Sequence, residues 1–576
     1  MSARLDPVTV GILWDRLIAI ADEATTTLHR AAFSTAVRES NDFAITILDG
    51  RGEGTLAAAQ SGLPSFISTQ AVTLGHALKL FPLETLQPGD VIITNDPWLA
   101  TGQAMDVTML APIFLGERLV AFAGSVAHSP DLGGARQWAR ASDVYEEAIA
   151  LPLLKLYRAG VPSDDIFALL RANCREPART LGDIDAMLAA MQILSDRLLE
   201  LMEEAALTDL DELADVIYGL SEKIMREAIA AVPDGSYSAR VLLDDRLPDP
   251  VTGAVGGDLG QLAIEATITI AGDGLVVDFA GTSVARRNST NATAVFTASY
   301  AKYAVRYVLV PLLPHNAGFL RPVTIVVPDG CALGVRRPAA TANRHIIGQQ
   351  ACDAIFGALV QAVPDRVMAP GGSTPNWLLV MAGSGRDGHP YSRILPLAGG
   401  LGAFPAKDGE IAFFPANLLS TPMEMVESEQ ELVVVEKSVI PDSAGAGRFR
   451  GAPGQRVVLR AQARTLFTML TGKVDHPAQG LLGGLPGRAG VLLLNGEPIG
   501  PGDGVLEPGD VLWIETPGGA GLHDPRERPV AAVLRDVRHG LVSVEQARAA
   551  YRVALVAGTL EVDDAATARL RAGAQS

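Results

Sequence analysis

One short stretch of the sequence contains side chains of the types that hold a divalent metal. The polar loop NDPWLATGQAMD contains Gln103 and Asp106; a later apolar run ends just before His128, and Asp131 follows. Imidazole and carboxylate groups from neighbouring strand ends are common ligands of such ions. Asp106 and His128 are 22 residues apart, which fits two adjacent antiparallel strands. The pattern predicts Asp106, His128, Gln103 and Asp131 as metal ligands, with loop capping and ordinary turn chemistry as the alternative.

Two other phrases place charged groups beside predicted helix ends. RESNDF follows the first helical segment and contains Asp42, and NRH opens a later helical segment with Arg344. An arginine at a helix N-terminus suits an anionic group such as a carboxylate or a phosphate. Asp42, Arg344 and the loop residue Asp96 are the candidate catalytic residues. Solvated charges at a helix end and a surface turn are the alternatives for Asp42 and Arg344.

Several common catalytic and nucleotide-binding motifs are absent from the sequence. It has no G-x-x-x-x-G-K-[ST] phosphate loop, no G-x-G-x-x-G after a clear strand, no G-x-S-x-G elbow and no H-E-x-x-H pair. If the reaction uses ATP, we therefore expect another chain to bind it.

Composition and charge exclude several classes of protein. The 576 residues carry a formal net charge of −18, which repels polyanions, so nucleic acid is not an expected partner. The three cysteines are far apart and form no C-x-x-C pair, which argues against a disulfide scaffold and a zinc ribbon. No apolar run reaches about 18 residues, and acidic residues in the first apolar stretch do not fit a signal peptide. The cytoplasm is the expected compartment, without a membrane partner.

The apolar patterning predicts both long helices and many strands. Asp6 suits the cap, and Pro7 the first turn, of an amphipathic helix, and the run FAITILD reads as a strand that ends at an Asp-Gly turn. The other predicted elements are a helix near 66–80, β structure over 88–130, helices over 163–231, strands at 236–244, 260–270 and 274–279, helices near 292–310 and 345–363, a loop-rich section over 370–425, β-rich runs over 430–516, and a helical pair at 527–537 and 543–551.

This pattern predicts an α+β fold with mixed sheets, long helices in the N-terminal half and a β-rich C-terminal domain. Four regions are expected. They are an N-terminal α/β region with the candidate metal loop and long helices at 1–232, a central α/β region at 233–425, the β-rich domain at 426–525 and a helical tail at 526–576.

Phrases over nearly the whole chain resemble, in the same order, those of the hydantoinase B/oxoprolinase family, whose relatives include the alpha subunits of acetone carboxylase. Each phrase alone is a weak signal, but the shared order is specific. The phrases are RESNDF, TNDPWLATGQAMDVT, AHSPDLGG, NCREP, GDIDA, PDGSY, VDFAGTS, PHNAGFLRPV, DSAGAGRFRG and GGAGLHDPRER.

The resemblance implies a B-type subunit that works with an ATP-binding A-type subunit, as a homodimer within a heteromer. The A-type subunit is expected to phosphorylate the carbonyl oxygen or the enol of a small-molecule substrate, because an amide carbonyl is otherwise a poor electrophile. The implied reaction is the ATP-dependent opening of a cyclic amide of the hydantoin or 5-oxoproline type. The alternatives are an ATP-dependent ketone carboxylase subunit and a non-catalytic structural or regulatory paralogue.

The sequence departs from the family pattern where the implied metal, Mn or Zn, would bind. Gln103 stands where the family phrase GTHLPD has a metal-ligating histidine, while Asp106 is kept. His128 is also kept, but Ser129 replaces the second histidine of the family phrase AHHADIGG. Because an amide oxygen is a poor companion for imidazole around a first-row metal, we expect the ion to be held weakly or lost. The lost histidines favour the non-catalytic alternative, whereas the intact phrases NDP, DFAGTS and DSAGAGRFRG favour the enzyme.

The missing phosphate loop predicts that the isolated chain does not bind ATP tightly. Calorimetric titration of the isolated chain with ATP is expected to show no micromolar affinity, since no run of backbone N–H groups and lysine is available to hold the phosphates. Titration of the chain co-purified with an A-type subunit is the matching positive control. A micromolar Kd for the isolated chain would contradict the assignment of ATP to the partner.

Overall fold

The computed structural model describes residues 5–135, 141–249, 253, 260–384, 388 and 390–572. Its N-terminal part is built on seven strands, β1 (Phe43–Asp49), β2 (Thr55–Ala58), β3 (Val91–Thr94), β4 (Asp106–Leu115), β5 (Arg118–His128), β6 (Leu154–Arg158) and β7 (Val161–Pro162). They form one antiparallel sheet in the order β2-β1-β5-β4-β3-β6-β7. The longest strands, β4 and β5, are adjacent, as predicted from their sequence separation.

Helices cover both faces of this sheet because its central strands are apolar on both sides. Ile45 and Ile47 face the layer that contains the first and fifth helices, whereas Leu48 faces the third helix. Asp6 caps the first helix by accepting hydrogen bonds from two backbone N–H groups, as predicted. The helices are α1 (Pro7–Ala31), α2 (Thr35–Arg38), α3 (Pro64–Leu80), α4 (Asp164–Asn173), α5 (Pro177–Glu204) and α6 (Asp211–Ala230).

A second, smaller sheet follows and packs against helices on one side. Its strands are β8 (Gly235–Leu242), β9 (Ala263–Ala271), β10 (Gly274–Asp278) and β11 (Val323–Val326), in the order β11-β10-β9-β8. β10 and β11 run parallel and the other pairs antiparallel, so the sheet is mixed. The associated helices are α7 (Ala294–Leu309), α8 (Arg344–Gly348) and α9 (Gln350–Leu359).

The C-terminal part is a sandwich of two sheets whose inner faces share one apolar core around Trp377, Leu459 and Phe467. The strands are β12 (Trp377–Ser384), β13 (Pro390–Leu397), β14 (Leu432–Val439), β15 (Gln455–Ala461), β16 (Thr465–Leu470), β17 (Val491–Leu494), β18 (Glu497–Pro498), β19 (Gly502–Leu506) and β20 (Val511–Glu515). They form the sheets β13-β12-β16-β19 and β14-β15-β20-β17-β18. The remaining helices are α10 (Met423–Glu429), α11 (Val530–Arg538), α12 (Val544–Ala549) and α13 (Asp564–Ala572).

The structure differs from the sequence-based expectation for two of the predicted elements. The section predicted to be loop-rich, 370–425, contains β12 and β13, whose apolar runs are short and bounded by glycine and proline. The predicted helix at 345–363 is divided between α8 and α9 at Gln349. The strands β12 and β13, which precede the predicted boundary at 425–426, belong to the same sheet as β16 and β19, which follow it. Within the described residues, no helix is both long enough and apolar enough to cross a lipid bilayer.

A buried ion pair connects the central helices to the C-terminal sandwich. Lys473 Nζ, just beyond β16, lies 2.6 Å from Asp353 Oδ2 on α9, and the two side chains are 4% and 3% exposed. Such a pair is costly to break because the remaining charge stays buried without a partner.

Replacing Lys473 by methionine is expected to lower the free energy of unfolding by about 3–5 kcal/mol, because the Asp353 carboxyl group would lose its cation. The matched control is Lys223→Met, since Lys223 pairs with Glu227 on the surface, where the side chains are 72% and 66% exposed. The control is expected to lose less than about 1 kcal/mol. Urea unfolding measures both changes, and equal losses would contradict the structural role of the buried pair.

Candidate functional site

Three of the predicted residues meet at one edge of the seven-stranded sheet. β4 begins at Asp106 and β5 ends at His128, and the two residues are directly paired across the strands. Asp42 immediately precedes β1, and its backbone carbonyl accepts a hydrogen bond from the backbone N–H of His128 over 3.0 Å. The sheet therefore places two carboxylates and one imidazole in a single group of strand ends.

The Asp106 carboxylate is the most heavily hydrogen-bonded group of this cluster. Its Oδ1 lies 2.9 Å from His128 Nδ1, and its Oδ2 accepts hydrogen bonds from Thr101 Oγ1 at 2.6 Å and Arg344 Nη2 at 2.5 Å. Burial alone would raise the pKa of Asp106, but Arg344 and His128 outweigh burial and hold the pKa below its ordinary value. Asp106 is therefore kept as a buried anion.

Arg344 brings a fixed positive charge to the cluster from a distant part of the chain. Its guanidinium donates hydrogen bonds to Asp106 and to Gln103 Oε1, and its Cζ lies 4.6 Å from the centroid of the Phe296 ring. Gln103 Nε2 in turn donates to the carbonyl oxygen of Ala342 over 2.6 Å. Because arginine keeps its charge even when buried, the guanidinium supplies a permanent cation opposite the strand ends.

Two residues that the sequence analysis did not identify hold this arrangement in place. The buried Glu147 carboxylate accepts hydrogen bonds from the backbone N–H groups of Thr341 and Ala342 at 2.5 and 2.7 Å. Burial raises the pKa of Glu147 to about 7, against these hydrogen bonds. Gly102 has a φ of +88°, and a Cβ at this position would lie 2.8 Å from the Cβ of Phe296. Neither residue belongs to a sequence pattern that would have shown its role.

A cavity of about 60 Å³, which we call the polar pocket, is lined by Gln103, Asp106, His128 and Arg344. Asp42 also lines the pocket, and burial raises the pKa of its carboxyl group to about 6, with His128 acting in the opposite direction. Among the described residues, no side chain donates a hydrogen bond to the Asp42 carboxylate. Asp42 is therefore a carboxyl group that can take up and release a proton near neutral pH.

The polar pocket also contains two imidazole groups. His128 Nε2 and His345 Nε2 are both buried, and neither has a hydrogen-bond partner in the described part of the chain. Burial lowers the pKa of His128, but its hydrogen bond to Asp106 and the nearby charge of Asp42 outweigh burial and raise it overall. Burial, together with Arg344, lowers the pKa of His345 to about 3, so His345 is neutral. His345 was missing from the predicted site, although it directly follows Arg344 in the sequence.

Two of the predicted site residues lie outside the polar pocket. The Asp96 carboxylate accepts hydrogen bonds from the Arg337 guanidinium and from the backbone of Trp98, beside a separate cavity. The Asp131 carboxylate accepts hydrogen bonds from both the backbone and the side chain of Arg175. The structure thus brings together Asp42, Gln103, Asp106, His128 and Arg344, and it does not bring Asp96 or Asp131 to them.

The predicted metal ligands, in this arrangement, do not fit a divalent ion. Both carboxylate oxygens of Asp106 and the amide oxygen of Gln103 already take part in hydrogen bonds, and Arg344 bridges the two side chains. A divalent cation at these oxygens would therefore meet the fixed charge of Arg344 at short range. Within the described residues, no three His, Cys, Asp or Glu side chains are grouped as they would be around one ion. Weak binding or loss of Mn or Zn, as expected from Gln103 and Ser129, stays a prediction.

Comparison with known proteins gives full-length matches. A family model described as Hydantoinase B/oxoprolinase matches residues 6–525. The chain is 29% identical over 598 residues to a Pseudomonas sp. (strain NS671) protein named as the B component of a D-/L-hydantoinase, covering 99% of this chain and 98% of that one. It is 28% identical over 599 residues to the beta subunit of caprolactamase from Pseudomonas jessenii, covering 99% of both chains.

Solved structures share the fold along nearly the whole chain. The crystal structure of ATP-dependent caprolactamase from Pseudomonas jessenii has a TM-score of 0.87 at 27% identity, covering 99% of this chain and 100% of that chain. The nucleotide-free structure of acetone carboxylase has a TM-score of 0.86 at 20% identity, covering 99% of this chain and 83% of that chain, and this likeness concerns the fold alone. The predicted α+β class is confirmed.

The position of Arg344 leads to a prediction about metal content. After incubation with Mn²⁺ or Zn²⁺ and dialysis, the purified chain is expected to retain far less than one ion, because the guanidinium occupies the oxygens of Asp106 and Gln103. The double variant Gln103→His with Arg344→Val removes the competing charge and adds an imidazole, so its metal content should rise. Elemental analysis by mass spectrometry measures both.

The matched control is Arg337→Met, which removes an arginine from another aspartate, Asp96, outside the polar pocket. This variant should leave the metal content unchanged. One tightly held ion per wild-type chain would contradict the interpretation that Arg344 excludes a metal.

Proposed function

The chain belongs to the hydantoinase B/oxoprolinase family, and on this basis we propose that it is the B-type subunit of an ATP-dependent enzyme that opens a cyclic amide with water. The substrate is of the hydantoin or 5-oxoproline type. An A-type partner binds ATP and phosphorylates the carbonyl oxygen of the substrate, and the two chains form a cytoplasmic heteromer around a dimer of this chain. Relatives named as the B component of a hydantoinase and as the beta subunit of caprolactamase support the presence of a partner.

One observation carries the proposal: the polar pocket contains Asp42, whose carboxylate receives no hydrogen bond from the described residues, together with a cation, Arg344. Ring opening by water needs a base that takes a proton from the water and a positive group that stabilises the negative charge formed on the reacting carbon's oxygen substituents. A pKa of about 6 suits Asp42 for the first role, because its carboxylate is ionised at neutral pH yet more basic than an exposed one.

The proposed chemistry assigns one step to each of these groups. The oxygen of a water molecule forms a bond to the carbon that carries the phosphorylated oxygen of the amide. A proton of this water passes to the Asp42 carboxylate. Arg344 stabilises the phosphorylated oxygen on that carbon. The bond between the carbon and the ring nitrogen then breaks, and the nitrogen takes a proton as it leaves. His128 is close to Asp42 and is a candidate donor of that proton, since its pKa is raised. A second water molecule hydrolyses the acyl phosphate so formed, which releases inorganic phosphate and the ring-opened carboxylate.

The two other candidate functions, carboxylation of a ketone and a non-catalytic role, have less support. Carboxylation of a ketone has no support beyond the shared fold with acetone carboxylase. A non-catalytic role is favoured by the loss of metal-binding histidines, whereas the polar pocket keeps a base and a cation that such a role does not need.

Activity of the chain co-purified with its A-type partner tests the proposal. ATP-dependent release of ring-opened product is expected from at least one hydantoin or lactam, and kcat/KM should fall as the pH drops through about 6, because protonated Asp42 cannot act as a base. Asp42→Asn should lower kcat by about 10²- to 10⁴-fold without loss of assembly. Its matched control is Asp22→Asn, because burial also raises the pKa of Asp22 on α1, outside the polar pocket.

Turnover of a ketone with bicarbonate, but of no cyclic amide, would favour the carboxylase. An assembled complex without turnover of either class would favour the non-catalytic paralogue. Full activity of Asp42→Asn would contradict the role given to Asp42.

A further inference from the structure

A second cavity meets the polar pocket at a wall formed by two side chains. It has a volume of about 170 Å³, and we call it the aromatic cavity. Tyr300 and Gln349 line both the aromatic cavity and the polar pocket. The Gln349 side chain donates a hydrogen bond to Asn376 Oδ1 at 2.8 Å and accepts one from the Asn376 backbone N–H at 3.0 Å. It also donates a longer hydrogen bond, of 3.3 Å, to the Tyr300 hydroxyl, and a substrate that spans both cavities would replace this contact.

The aromatic cavity is built from one face of α7, one face of α9, the segment 368–374 and the loop between β13 and α10. On α7, the spacing of Tyr300, Tyr303 and Tyr307 places three rings on the same side of the helix. Tyr307 packs against Phe356 of α9 with ring centroids 5.8 Å apart. The loop between β13 and α10 closes the remaining side with Leu401, Phe404, Phe413, Pro415 and Asn417.

The lining of the aromatic cavity does not suit a charged group. Asp353 is the one charged residue among the described residues that line it, and its carboxylate is already paired with Lys473 at 2.6 Å. A carboxylate on a ligand would therefore meet a negative neighbour without a free cation. Apolar ligand surface, by contrast, would contact tyrosine and phenylalanine rings.

The sizes of the two cavities indicate which part of a substrate each one holds. A volume of about 60 Å³ is less than half that of an apolar cavity of about 150 Å³ that holds a benzene molecule, so the polar pocket has room for a reacting amide group but not also for a substituent of benzene size. A volume of about 170 Å³ is close to that of apolar cavities of about 150 Å³ that hold a benzene molecule. The aromatic cavity therefore has room for one apolar group the size of a benzene ring.

We infer that the aromatic cavity is the subsite for a substrate substituent, and that the substrate is a cyclic amide with an uncharged apolar group of about benzene size next to the reacting carbonyl. The inference rests on the proposed function, since it places the reacting amide in the polar pocket. It also separates this chain's substrate from cyclic amides whose ring carries a carboxylate, as the ring of 5-oxoproline does.

Binding of a matched series of hydantoins to the full chain tests the inference. In titration calorimetry, the Kd of 5-benzylhydantoin is expected to be on the order of 10- to 100-fold lower than the Kd of 5-methylhydantoin, because a phenyl group becomes buried. Hydantoin-5-acetic acid, which carries a carboxylate instead, should bind no more tightly than 5-methylhydantoin. Equal affinities for the benzyl and methyl compounds, or no binding of any of them, would overturn the inference.

A pair of surface variants shows whether the benzyl group lies in the aromatic cavity. Phe413 lines the mouth of the cavity and is 41% exposed, so Phe413→Asp is compatible with folding and places a charge beside the bound ring. It should reduce the benzyl-to-methyl affinity ratio at least several-fold. The matched control is Ile411→Asp, since Ile411 is 39% exposed in the same loop and does not line the cavity. The same loss of preference in both variants, or in neither, would overturn the placement.

This experiment separates the inference from the proposed function because binding is measured on this chain alone, without ATP or an A-type partner. Preferential binding of the benzyl compound without turnover by the complex would contradict the proposed function and support the subsite. Turnover of cyclic amides without any preference for the benzyl compound would support the proposed function and overturn the subsite.

Discussion

A buried carboxylate is stable only when neighbouring groups replace the water that it has lost, and Asp106 meets this condition with partners from separate parts of the chain. Thr101 comes from the polar loop, His128 from the end of β5, and Arg344 from a segment more than two hundred residues away. His128 and Arg344 also line the polar pocket. The position of the cation, the orientation of the His128 ring and the path of the loop are thus fixed by one fully buried anion.

The sequence predicts this site in part, and the limits have physical reasons. The pairing of Asp106 with His128 could be predicted because the two residues lie at the open end of a hairpin, where the start of one strand is opposite the end of the next. The contact of Gln103 and Asp106 with Arg344 could not, because it depends on the packing of the first turn of α8 against the first sheet, which no local pattern encodes. Asp131 has the right residue type and position for a metal ligand, yet its carboxylate is taken up by Arg175.

The fold shows the same division between local and non-local information. The cap at Asp6 and the long amphipathic helices follow from spacing alone, and these predictions are confirmed. The strands β12 and β13 were missed because glycine and proline surround them, while their stability comes from pairing with each other and with β16 much later in the chain. A strand whose partners are distant carries a weak signal in its own sequence.

The loop between β13 and α10 contributes several walls of the aromatic cavity and none of the partners of Asp106. The shape of the aromatic cavity and the positions of the reactive groups therefore depend on different segments of the chain. Substitutions in the loop can alter which molecules bind in the aromatic cavity while the reactive groups around Asp106 keep their positions. The substrate can therefore change from one relative to another without loss of these groups. Changes at Thr101, Asp106, His128 or Arg344 have no such freedom, because each of them disturbs the same buried anion.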